Sequence, residues 1–463
     1  SREQIEDLQR KHRDKTLDGA VTVIEAKKMI AGGNIDRGEN ILNDFLGREP
    51  HHFYAAEARA LLSGTVAAGV ENSFIYFKPA DGELKEIADQ IQQGMLYAIR
   101  ESQIRNEDIR INFEAVELEE SEVSALLTGE EKIKARNPVC MIGPIDANQC
   151  AGFSVLSRYE KRPYIIPLSS GTGFTRLSPY AFQLNPDVET KGRFFGEYAV
   201  TELEHKKIAV LAPVNEYGKG FVRSFVEAVQ ANGGEIVTDQ WYYLDTQDFT
   251  RQFKAIRKKS FQIEFEKYLQ DSVEVDTTWS EDDLREQYQI FMEQKFEDIQ
   301  FGQDSTQIPA TGIDAILIVT TPAFVPYLAS QFAFHNIESD ILGNEGWNDP
   351  EQLKKFQQNV EGLVYVTASY FDPESWNYKE FMNRFRMQMN ETPLFYHLLG
   401  YDMMKWILQN YKPGMSPEEL KSKLENSELY NGIVENIKFS NKPRVNDQLK
   451  VIKFSFGHFI QLK

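Results

Sequence analysis

The stretch KKIAVLAPVNEYGKGFVRSFVEAVQANGGEIV, residues 206–237, holds a complete strand, helix, strand unit. KIAVLA at 207–212 is a short, nearly continuous apolar run, too short for a helix and apolar enough for a strand covered on both faces. YGKGFVRSFVEAVQANGG then takes up the helical period and ends on Asn and Gly, the residues that cap helix C-termini. EIVTDQWY at 235–242 is the next strand. A strand that returns beside its neighbour after a helix predicts a parallel sheet with helices on its faces.

The same rhythm extends in both directions. Further strands are predicted at 73–77, 109–116, 139–143, 163–168, 315–320 and 363–368, with helical periods such as LKEIADQIQQGMLYAIRES between most of them. The halves before and after about residue 185 are each long enough for a doubly wound sheet. Residues 1–71 differ. Leu17, Val21, Ile24, Met29 and Ile30 precede a break at GGN, Ile41, Leu42, Phe45 and Leu46 precede Pro50, and Ala55, Ala58, Leu61 and Leu62 follow. That pattern predicts helix, turn, helix, turn, helix. Residues 261–312 interrupt the alternation with an acidic, helix-patterned insertion, read either as solvated decoration or as a partner-docking arm, with decoration preferred.

Composition narrows the function. The chain of 463 residues is 41% hydrophobic and 12% aromatic, enough apolar material for two or three folded domains. A formal net charge of -19 opposes binding to phosphate backbones or anionic lipid, so nucleic acid is excluded as a general partner. The basic cluster Lys254 to Lys259 reads as the solvated end of a helix. With two cysteines, Cys140 and Cys150, a four-thiolate zinc site is impossible; the two either pair or stay buried thiols, and the apolar VCMIGP context favours thiols. No apolar run reaches the ~20 residues that span a bilayer, and no signal-peptide pattern stands at Ser1, so a trimmed or processed form is expected. There is no G-x-S-x-G, phosphate loop or H-E-x-x-H, and the seven histidines are scattered, which predicts a non-enzyme without metal or cofactor.

From Ser73 onward, IADQIQQGMLYAIRES, VCMIGPIDANQ, RPYIIPLSSGTGFT, YAFQLNPDVETKGRFFGEYAV, residues 206–237, IDAILIVTT, ILGNEGWNDP, VEGLVYVTASYFDPE and TPLFYHLLGYDMMKWIL follow in an order that resembles the type I periplasmic binding proteins, especially the branched-chain amino-acid-binding group that feeds ABC importers. The resemblance implies an α/β fold of two Rossmann-like, doubly wound lobes joined by three hinge strands, a Venus-flytrap, behind a small all-α module. Lobe 1 is expected at 72–184 and 369–440, and lobe 2 at 185–368 and 441–463. Crossings would fall near Gln183 to Pro186, Thr367 to Tyr370 and Ser440 to Asn446, with LKVIKFSFGHFIQLK as a final ribbon. The N-terminal stretch AKKMIAGGNIDRGENILNDFLGREPHHFYAAEARALLSG resembles a tetratricopeptide unit in part, with Gly38 where that family usually has Ala; a plain helical extension is the alternative.

Carried over residue by residue, the resemblance implies a ligand site in the interlobe cleft. Asp146 and Ala147 stand in the loop where a Ser is common, a departure, because an acidic side chain repels a carboxylate ligand. Ser169 and Ser170 keep the family's small-residue and hydroxyl positions, or form an ordinary turn. Tyr217 starts a helix where an aromatic packs over the ligand, and Glu345 stands where the ligand ammonium finds its acidic partner. Trp347, Phe395 and Tyr396 line the cleft or belong to the core.

Three functions follow. The first is an extracytoplasmic solute-binding protein, the substrate-binding component of an ABC importer for amino acids or similar small polar ligands, periplasmic or on the outer surface and anchored by lipid upstream of Ser1. The second is a regulatory lipoprotein resembling activators of peptidoglycan synthases, which uses the fold as a protein-contact platform. A sensor ectodomain or degenerate enzyme is the third. A small polar ligand and an ABC permease or cell-envelope protein are the implied partners.

Overall fold

In a computed structural model of the chain, residues 15–31, 35–62, 73–105, 111–272, 279–297 and 308–463 are described. The Gly32–Asn34 break, the boundary at 71 and 72, the start of the second predicted strand at 109–110 and residues 273–278 and 298–307 of the insertion lie outside them. The chain divides into two compact units. The first holds Ser1–Ser169, Gly173–Leu184 and Phe371–Asn446, and the second holds Ser170–Thr172, Asn185–Tyr370 and Asp447–Lys463.

Three helices open the first unit, α1 (Lys15–Ala31), α2 (Ile35–Arg48) and α3 (Ala55–Leu62), packed around Val23, Ala26, Leu42, Phe45, Ala58 and Leu61. Ile24, expected among the apolar positions, is 50% exposed, because Val23 and Ala26 take the buried face of α1. The α/β part follows as β1 (Ser73–Pro79), α4 (Glu83–Arg105), β2 (Asn112–Leu118), α5 (Glu122–Arg136), β3 (Cys140–Ile142), α6 (Ala147–Glu160), β4 (Tyr164–Ile166) and β5 (Ala181–Gln183). The guanidinium of Arg100, on α4, lies over the rings of Phe53 and Tyr54, so the helical region is held to this unit through a cation–π contact. The five strands are parallel in the order β2-β1-β3-β4-β5. Cys140 and Cys150 are buried free thiols, and burial pushes Cys150 up to about 12.

The second unit runs α7 (Val188–Thr201), β6 (Lys207–Pro213), α8 (Glu216–Ala231), β7 (Glu235–Tyr242), α9 (Thr250–Ser272), α10 (Glu281–Glu297), β8 (Ala315–Ile318), α11 (Val325–Phe334), β9 (Asp340–Gly343) and β10 (Val364–Thr367). The chain then returns to the first unit for α12 (Trp376–Met389), α13 (Phe395–Asn410), α14 (Pro417–Glu425) and a small ribbon of β11 (Tyr430–Asn431) and β12 (Asn436–Ile437). It ends in the second unit as β13 (Lys450–Ser455) and β14 (His458–Gln461). The second sheet has the order β14-β13-β10-β9-β8-β6-β7, parallel except for the last hairpin and its pairing with β10.

The basic cluster at 254–259 is not a helix end. It sits within α9, which carries Phe253 and Ile256 into the core and takes Arg257 with them. The buried guanidinium donates to the carbonyls of His335 (2.8 Å), Asn336 (2.9 Å) and Ile308, which satisfies a charge that would otherwise be costly to bury. Residue 261 falls inside this same unbroken helix. Glu264 accepts from Lys295 of α10 and from the amides of Thr311 (2.7 Å) and Gly312 (3.1 Å), tying the described parts of the insertion to one another.

α7 positions the site discussed below, and it can do so because it crosses α8 without intervening side chains. A Cβ on Gly196 would lie 2.5 Å from the Phe225 carbonyl oxygen, and one on Gly192 would collide with that of Phe221. Overpacking of this kind costs about 1–3 kcal/mol. Gly196→Val is therefore expected to lower the unfolding free energy by that amount, read as a lower urea midpoint with an unchanged m-value. Gly47→Ala, with open space around it on α2, should be neutral or stabilising.

Candidate functional site

Strands covered on both faces leave polar chemistry to their ends, and in open parallel sheets a ligand sits outside the carboxyl ends where the strand order reverses. In the second sheet that reversal falls between β6 and β8. Beyond the ends of β6, β8 and β9 there stand Tyr217, in the first turn of α8, Thr320, and Asn344 with Glu345. Asn344 joins the three. Its Oδ1 accepts from the Thr320 amide (2.8 Å), and its Nδ2 donates to the Thr320 carbonyl (2.9 Å) and to the Tyr217 hydroxyl (3.3 Å).

Glu345 is carried on a single 3-10 turn, Glu345–Trp347, whose shape two neighbours fix. A Cβ at Gly346 would collide with the Thr320 carbonyl oxygen, so only glycine lets the turn close onto the end of β8. Trp347 is fully buried and its indole N–H donates to the Ile318 carbonyl (2.8 Å), which places it in the core. Phe395 and Tyr396 are partly buried against the core of the first unit. Tyr217 is half-buried, and burial first, then the negative charge of Glu345, hold its hydroxyl well above the ordinary tyrosine range.

The Glu345 carboxylate already has a cation. Lys191, from the first turns of α7, places its Nζ 2.5 Å from Glu345 Oε1. The Lys191 side chain is 2% exposed and that of Glu345 30%. The other carboxylate oxygen, Oε2, is buried without a hydrogen-bond partner. Sequence reasoning did not single out Lys191, although a signal exists. Asp187 caps α7 through the amide of Thr190 (2.9 Å), and from that start Lys191 falls on the same face as Val188, Gly192 and Phe195, all buried.

The other candidates divide between the units. Asp146 belongs to the first, where its carboxylate is the N-cap of α6, accepting from the amides of Asn148 (2.9 Å) and Gln149 (3.1 Å). Ala147 is the exposed first residue of that helix. Ser169 also lies in the first unit, buried, with its carbonyl accepting from Gln183 Nε2 (2.9 Å). Ser170 lies in the second, where its carbonyl accepts from the amide of Val188 at the start of α7 (3.0 Å). Two residues on, the hydroxyl of Thr172 is buried without a hydrogen-bond partner. The second unit thus brings together Tyr217 and Glu345, and ties Ser170 to the helix that carries Lys191.

A cavity of about 940 Å³ in the second unit lies elsewhere, lined by His205, Lys207, Glu264, Asp314, Glu338 and Asp340 among others, at the amino ends of β6, β8 and β9. Among the described residues no three His, Cys, Asp or Glu side chains group to hold a metal ion, and no helix is long and apolar enough to cross a membrane.

Removing one member of a buried ion pair strands the other charge, at a cost of about 3 kcal/mol. Glu345→Ala is expected to destabilise the chain by about that amount, whereas Lys191→Met combined with Glu345→Gln should recover most of it. A denaturation series with both variants checks the pair. Asp146→Ala should cost about 1 kcal/mol, the loss of a cap.

The family model described as "Periplasmic binding protein" matches residues 110–266. No curated protein sequence matches the chain. Among solved structures, the chain is similar to an ABC transporter substrate-binding protein from Sphaerobacter thermophilus (14% identity, TM-score 0.61), with 84% of this chain and 96% of that one covered. It is also similar to the branched-chain amino acid transporter substrate-binding protein LivJ of Streptococcus pneumoniae in complex with isoleucine (17%, TM-score 0.55; 84% and 99%). A solute-binding protein of an ABC transporter from R. palustris in complex with benzoate is a third (14%, TM-score 0.55; 85% and 95%). The chain has the fold of the type I periplasmic binding proteins, two α/β lobes built on parallel sheets, with a helical region preceding them.

Proposed function

We propose that this chain is an extracytoplasmic solute-binding protein, the component that presents a small organic ligand to an ABC importer. The observation that carries the reading is the polar constellation of Lys191, Tyr217, Asn344 and Glu345 at the carboxyl ends of β6, β8 and β9, above strands whose sides are packed by apolar side chains. The likeness to substrate-binding proteins solved with isoleucine and benzoate supports it and frames the ligand class as amino acids or aromatic acids. Of the candidate ligand residues, Tyr217, Glu345 and Ser170 belong to the second unit, and Asp146, Ala147 and Ser169 to the first. No step of bond-making is needed for this role.

A second reading, a protein-contact platform like the activators of peptidoglycan synthases, draws on the helical region α1 to α3. Those helices bury their own small core and lie on α4, outside the constellation. The tetratricopeptide likeness of the module belongs to this reading.

A ligand that binds only the native state stabilises it by about 2.7 kcal/mol at a concentration of 100 Kd. Thermal denaturation of the purified chain against amino acids, aromatic acids, sugars, polyamines, short peptides and peptidoglycan fragments is expected to show a rise in Tm with one small-molecule class. Tyr217→Ala should remove that rise. Silence across the small molecules, with a response confined to peptidoglycan fragments or none at all, would replace the first reading by the second.

A further inference from the structure

We infer that Lys191 occupies the place a ligand ammonium would take, so that the site selects small organic acids carrying no amino group. The inference rests on the solute-binding reading and narrows its ligand class.

An ammonium brought into a site shielded from water needs carboxylate or carbonyl acceptors within hydrogen-bond reach. Three carboxylates that belong to the candidate residues or flank α7 are committed inside the protein. Glu345 holds Lys191 at 2.5 Å. Asp187 accepts from both the amide (2.9 Å) and the hydroxyl (2.6 Å) of Thr190. Asp146, in the first unit, caps α6. A zwitterionic amino acid entering the second unit would have to displace Lys191 from Glu345, leaving a lysine that is almost wholly buried without its counter-charge.

The unspent hydrogen-bonding capacity has the opposite sense. Lys191 Nζ carries three N–H donors and one goes to Glu345, which leaves two. The buried Thr172 hydroxyl is a further donor without a partner, on the loop that Ser170 fastens to the first turn of α7. Against these stand one vacant carboxylate oxygen, Glu345 Oε2, and the acceptor side of the Thr172 hydroxyl. A surplus of donors around an internally neutralised pair suits a carboxylate better than an ammonium.

Matched ligand pairs test this: leucine against 4-methylpentanoate and phenylalanine against 3-phenylpropanoate, by calorimetric titration of the full chain, with benzoate as a third acid. The chain is expected to bind at least one acid and to prefer it at least tenfold over its amino acid. Lys191→Met, which leaves Glu345 without its cation, should reverse the preference within the same pair. Should that variant fold poorly, Lys191→Met with Glu345→Gln keeps the site neutral and should bind the acid at least tenfold more weakly than the parent, without gaining the amino acid. Leucine or phenylalanine binding the parent as tightly as its deaminated partner would overturn the inference and leave the solute-binding reading standing. No binding by any of the five overturns the inference too, and the Tm screen above then decides separately whether the chain binds solutes at all.

Discussion

A strand in a parallel sheet has helices on both faces, and its side chains have nowhere polar to point. In the first sheet β1 is buried along all but its last residue, and in the second β8 and β10 are buried throughout. The backbone hydrogen bonds are satisfied within the ladders, so in these central strands charged groups are kept to the strand ends. This constraint makes the two ends of the second sheet differ in kind. Its amino ends open on an acid- and base-lined groove where most charges are hydrated. Its carboxyl ends hold few polar groups, each fixed by a neighbour: Asn344 by both backbone atoms of Thr320, Trp347 by the Ile318 carbonyl, Glu345 by Lys191.

Within that frame Lys191 is the costly residue. It is the fourth residue of α7, close to a helix N-terminus whose partial positive charge disfavours a cation. It is also among the largest fully buried side chains of the chain. Two acidic groups offset this locally, the Asp187 cap and Glu345, and the second makes the direct bond. A buried ion pair of this kind contributes little net stability against an apolar replacement of the same size. Its retention at the place where the fold gathers polar groups is better explained by what it does to a ligand than by what it does for the fold.

Much of this architecture was readable in the sequence. Eight strands are predicted from apolar or β-branched runs, and the clearest, such as KIAVLA, are buried on both faces and have no alternation to confuse them. The strands Ala181–Gln183 and Asp340–Gly343 escaped because their runs, AFQ and DILG, mix apolar with polar residues or glycine and show no continuous apolar stretch. Glu345 and Tyr217 were found through the likeness of their loops to a family, and they do lie together through Asn344. Lys191 was missed for a physical reason: a lysine on a helix reads as solvent-facing until the helix start is fixed, and only the Asp187 cap sets the phase that turns it inward. The same blindness turned Arg257 into part of a solvated helix end. Asp146 reads as a carboxylate aimed at a ligand when the helix it caps has not been located, and its two amide partners are what reveal the cap.

Charge at long range and charge at contact pull in opposite directions here. A formal charge of -19 makes the chain as a whole attractive to cations and repellent to organic acids. At physiological ionic strength that field decays over about 8 Å, so it reaches an approaching ligand only weakly, while groups in contact act almost unscreened. At contact the second unit offers an internally cancelled pair and spare N–H and O–H donors, with Glu345 taken by Lys191 and Asp187 by a helix cap. Selection is therefore governed by which hydrogen bonds a ligand can complete rather than by net charge, and an amino group completes none that Lys191 has not already made.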